Sequence, residues 1–141
     1  MSHDTASLVR HFEDATLPLA AFRHEQHVQI AWHYLRSMPA LDAIRRMAAG
    51  LQRYARAHGR ENLYHETITW ACVLLIQERL ECTGRDVTWE GFGRRNSDLL
   101  TWKNGPLSRY YREATLASPL ARRIFVLPDA ALEHPVSESR R

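Results

Sequence analysis

The stretch TITWACVLLI, residues 67 to 76, constrains the chain more than any other. It lies in a segment from 63 to 82 that contains neither proline nor glycine, and it predicts a fourth helix that is apolar around nearly its whole circumference. Such a helix has to be covered on several sides, so the rest of the chain must supply other helices to pack around it. The apolar run stops at Gln77, well short of the roughly 18 consecutive apolar residues that a membrane span needs. It belongs in a core, and no membrane partner is expected.

The covering elements can be read from helix periodicity and punctuation. Residues 5 to 14 predict a short first helix, followed by a connector around Pro18. A second helix is expected from about 20 to 37, ending before Pro39, because a residue preceding proline avoids the helical region. A third, from about 40 to 58, places Leu41, Ile44, Ala48, Leu51 and Ala55 on one stripe, with Arg45, Arg46, Arg53 and Arg56 mostly off it and Gly59 as its C-cap. Gly84 ends the fourth. Beyond it, Thr88 is expected to cap a short turn over WEGF, Asn96 another over SDLLTW, and Ser118 followed by Pro119 a further short helix. The expected fold is all-α: a single-domain compact helical bundle of three longer helices plus several short C-terminal helices, covering residues 1–128. The tail, 129–141, has little to bury and is expected to fray.

A chain of 141 residues with 45% hydrophobic and 25% charged residues suits one folded domain. The start, MSHDTASLVRHFEDA, lacks the basic then apolar pattern of a secretory signal, so a cytoplasmic location is expected. Cys72 and Cys82, ten residues apart on one predicted helix, would stand roughly 15 Å apart along its axis and are expected to be free thiols. The net charge is +3, and Lys103 is the only lysine. The arginine pairs are scattered among acids, which argues against a nucleic-acid patch. GFGRR, residues 91 to 95, reads as a turn rather than a nucleotide loop, and RYYRE, 109 to 113, as a solvated face with its aromatics turned inward. A homodimer is compatible with so apolar a central helix in a short chain, although no heptad repeat calls for one.

The histidines carry the functional reading. In FRHEQHVQIAWHYLR, residues 22 to 36, helical phase puts His24, His27, Val28, Ala31 and Leu35 on one face, and Glu25, Gln26, Gln29, His33 and Arg36 on the opposite, solvated one. Two imidazoles on a core-facing stripe need a partner, since an unsatisfied buried polar group costs about 1–3 kcal/mol. The candidate partner is LYHETITW, residues 63 to 70, where His65 aligns with Thr69, Cys72 and Ile76. If the two segments meet, His24, His27 and His65 converge. Three histidines suit Zn²⁺ and leave a position open for water; two with a carboxylate suit non-haem Fe(II).

The leading expectation is therefore a small metal-dependent enzyme, Zn hydrolase-like or non-haem iron, with His24, His27 and His65 as ligands of a divalent metal. Glu66 would activate water or orient a ligand, and Tyr64 would serve as proton donor. A non-enzymatic module with a His/Tyr/Trp-lined pocket for a small molecule is the alternative, and an interaction protein with purely structural histidines is a third. HEQH is not the zinc-protease helix motif, since its second histidine comes one residue early. Trp32, Tyr34, Tyr64, Trp70, Trp89 and Trp102 supply aromatic surface for a pocket or a core. His58, in the last turn before Gly59, is expected to serve the helix end only; His3, His11 and His134 are set aside.

Overall fold

The computed structural model describes residues 4–102 and 105–130 and is all-α among them. Its longer helices are α1 (Thr5–Glu13), α2 (His24–Ser37), α3 (Ala40–Ala57) and α4 (Glu66–Thr83), followed by α5 (Trp89–Arg95), α6 (Glu113–Leu116) and α7 (Pro119–Arg123). Short 3-10 turns lie at Leu19–Ala21, Glu61–Leu63, Ser97–Leu100 and Pro106–Arg109. None of the described helices is long and apolar enough to cross a membrane.

α4 is central, packed against α2, α3, α5 and α7, as its all-round apolar character requires. It buries Thr67, Thr69, Val73, Ile76 and Leu80, and leaves Leu74 38% exposed, so one strip of it faces outward. α2 and α3 are joined only by Met38 and Pro39, both extended, and therefore run in opposite directions. α1 lies across α2 and α3, with Phe12 fully buried. Its close approach depends on Gly50, where an added Cβ would stand 2.5 Å from Phe12 Cε2.

Several sequence expectations need correction. α2 starts at His24 rather than 20, because Leu19–Ala21 forms a separate 3-10 turn behind Pro18. α4 starts at Glu66 rather than 63, which leaves Tyr64 and His65 outside the helix, His65 as its N-cap. The buried stripe of α3 is Ala43, Ile44, Met47, Gly50 and Tyr54; Leu41 is 63% exposed, because the incoming α1 turns the helix to present its glycine. Gln29 is buried, covered by α1 and donating to Thr5 Oγ1 at 2.8 Å, and His33 is half-buried rather than solvated.

GFGRR is helical, within α5, and Asn96 does not cap the turn after it. Its side chain is buried, donating to Thr83 Oγ1 and Phe92 O and accepting from Arg79. Thr88 and Ser118 do cap their helices, accepting from Gly91 N–H and Ala121 N–H. Of the expected tail, Asp129 and Ala130 donate from their backbone N–H groups to Tyr110 O, and the Asp129 carboxylate accepts from Arg112 N–H, so the chain is held to that point. Residues 131–141 lie outside the described residues. In RYYRE, Tyr111 turns inward to Val126 O while Arg109 and Arg112 are exposed.

Candidate ligand cavity

Helix lengths place the site. α2 has 14 residues, α3 and α4 have 18 each. At one end the three are level: the short Met38–Pro39 link joins α2 to α3, while Arg85, just past α4, donates to Leu35 O and accepts from Arg36 Nε. The deficit of four residues, about 6 Å of helix, falls at the other end. There α2 stops short and a cavity of about 590 Å³ opens between the C-terminal half of α3 and the N-terminal part of α4.

The lining changes character along the bundle axis. The floor is apolar, with Ala31, Met47, Val73 and Ile76. The aromatic wall is a ladder of rings: His27 lies 4.0 Å from Phe22, Phe22 4.6 Å from Tyr54, and Tyr54 4.2 Å from His58, centroid to centroid. Polar groups gather toward the start of α2, the end of α3 and the start of α4: His24, His27, His58, Tyr64 and His65, with Arg23, Arg60 and Arg122. No aspartate or glutamate is among the described lining residues.

The two segments YHET and RHEQH therefore do meet, at one cavity. His24, His27, His65 and Tyr64 all line it; Glu66 does not. Their hydrogen bonds assign them different work. His65 Nδ1 accepts from Ile68 N–H at 3.1 Å, capping α4, and Nε2–H donates to Leu116 O at 2.7 Å. Both ring nitrogens are spent, Nδ1 as acceptor and Nε2–H as donor. His24 Nε2–H donates to Leu99 O at 2.8 Å, and its ring lies 5.3 Å from that of Trp102.

His27 has no hydrogen-bond partner among the described residues. Burial, with His24 nearby as a second contribution, pushes its pKa down to about 4, so it is neutral at pH 7. The Glu66 carboxylate accepts from Tyr64 Oη at 2.7 Å and Trp70 Nε1 at 3.0 Å. Tyr64 in turn is pushed well above the usual phenol range, first by burial and then by this bond to a carboxylate.

No group of three or more His, Cys, Asp or Glu side chains among the described residues is arranged to hold a metal ion. His65 is bonded at both ring nitrogens and His24 at Nε2, so the three imidazoles do not present an open donor set.

Sequence reasoning missed Phe22, Tyr54 and His58. The signal for the last two was available, since Tyr54 and His58 stand four residues apart on a helix, one above the other. The C-cap of α3 is His58 rather than Gly59, and the His58 Nε2 is buried with no hydrogen-bond partner among the described residues. Gly59 follows with φ +68, the left-handed residue that lets Arg60 N–H return to Ala55 O at 2.7 Å. Trp32, Tyr34 and Trp89 are core residues. Cys72 lines the cavity as a free thiol that burial pushes up to about 12, and so is not a nucleophile at neutral pH. No protein-family model, curated protein or solved structure matches the chain.

Proposed function

We propose that this chain is a helical binding module for a small, largely apolar molecule, seated in the cavity between α2, α3 and α4. The observation that carries the reading is the cavity itself. At about 590 Å³ it falls within the roughly 300–1,000 Å³ of ligand pockets, with an apolar floor and a few convergent polar groups at one end. A metal-dependent enzyme is less well supported, since His65 has no lone pair left for an ion and Glu66 is held by Tyr64 and Trp70.

Titration with the neutral fluorescent dye N-phenyl-1-naphthylamine tests the proposal. Saturable binding at one dye per chain is expected, and its loss in Ala55→Phe, which fills the cavity from α3, with the circular dichroism spectrum unchanged. Absence of saturable binding to the wild-type chain, or equal binding by the filled variant, would overturn it. Metal analysis of protein purified without a histidine tag decides for the enzyme instead if it finds near one equivalent of Zn²⁺ or Fe²⁺ that His24→Ala removes.

A further inference from the structure

We infer that the ligand of this cavity carries a carboxylate head, held at the open end by Arg60 and Arg122 with its apolar body on the floor beneath. The inference rests on the binding-module reading above and adds the chemical class of the ligand. It starts from which polar groups at the open end are already bonded. Of the polar side chains at the open end, His65 is committed at both ring nitrogens and the Tyr64 hydroxyl is committed to Glu66. His58 also borders this space, but its Nε2 is buried without a partner among the described residues and is not presented to the cavity. A ligand's head group at this end therefore meets the arginines instead.

The charge of that group follows from what surrounds it. Arg60 and Arg122 line the cavity, and neither takes part in the ion pairs found among the described residues. Arg122 is anchored at this end by donating to Asn62 O at 3.1 Å, which places its guanidinium beside the segment that carries Arg60. Glu61, in the same segment, is exposed and does not line the cavity. Two guanidinium groups, with no carboxylate on the described lining, favour an anion and disfavour a cation. Guanidinium forks match the planar two-oxygen geometry of a carboxylate.

The body follows from the floor. From the level of Ile76 to His65 on α4 is eleven residues, roughly 16 Å of helix, and the deep end is Ala31, Met47, Val73 and Ile76. An extended hydrocarbon or linked rings of that reach, ending in a carboxylate, satisfy both ends at once.

Displacement of N-phenyl-1-naphthylamine by decanoate, 1-decanol and decylamine at pH 7.5 tests this, since the three probes share a chain and differ in head charge. Decanoate is expected to compete at concentrations at least about tenfold below decanol, with decylamine weakest. In the Arg60→Gln, Arg122→Gln double variant, decanoate should fall to within about threefold of decanol while decanol itself is unchanged. Decanol equal to or better than decanoate, or a double variant that keeps the full acid preference, would overturn the inference. Dye binding without an acid preference removes only the carboxylate; no dye binding to the wild-type chain removes the cavity reading as well.

Discussion

The two ends of the bundle are built from the same three helices and treat buried groups in opposite ways. At the closed end the C-terminal half of α2 meets α5, and Trp32, Trp89 and Phe92 sit with ring centroids 5.5 to 6.2 Å apart under the guanidinium of Arg36. Asn96, buried there, has partners for both its donor and its acceptor. At the open end the same α2 borders empty space, and His27 lines it with no hydrogen-bond partner among the described residues. Trp32 Nε1 is also unpartnered, but it is enclosed by core and no solute can reach it, so it is a cost carried for the volume of an indole. His27 is different, because it lines the cavity and a ligand there can complete it. Packing is finished at one end and left for something else to finish at the other.

The sharpest way to break that contrast is to truncate one large side chain at each end. Phe92→Ala, at a fully buried position, is expected to cost about 3–5 kcal/mol in urea unfolding. Ile68→Ala, on the cavity wall, should cost under about 1.5 kcal/mol, because one side of Ile68 already lacks neighbours. Equal costs would mean that the open end is packed as tightly as the closed one.

Acid should act on the open end next. The pKa of His27 is depressed in the folded chain, to about 4 against about 6.5 unfolded, so the unfolded chain binds the extra proton between those values. Stability is then fully present above about pH 6.5 and falls as the pH drops toward 4, by about 3 kcal/mol. His27→Leu should flatten this limb of a stability-against-pH curve; an unchanged limb would assign it to other groups. The smallest effect expected has the opposite sign. His58→Phe, by removing an unpartnered nitrogen from a stacked ring, should stabilise the free chain by about 1 kcal/mol. A loss of stability in the same urea experiment would show that the imidazole is bonded.

How much of this was legible differs along the chain. The central helix, its neighbours and the Ser118 and Thr88 caps follow from periodicity and local side-chain bonds, both written in nearby residues. The face of α3 was misjudged because Leu41 and Gly50 exchange their usual places: a glycine is buried to admit Phe12, and no local pattern reports the approach of α1. The meeting of His24 and His27 with the YHET segment was readable from helical phase. That they share a cavity rather than one donor set was not, because it depends on where α2 and α4 begin, and helix ends are set by bonds to distant backbone such as Leu99 O and Leu116 O.

One of those distant bonds narrows what evolution can write at a single position. His65 accepts at one edge of its ring to begin α4 and donates at the other to Leu116 O, 51 residues away. Serine, aspartate or asparagine would begin the helix as well but are too short to span to the far carbonyl; glutamine has the reach but is a poor cap. A saturation library at position 65 should therefore return histidine far more often than its neighbours return their own residues. The invariance would owe nothing to catalysis, and in an alignment it would be easily mistaken for the mark of an active site.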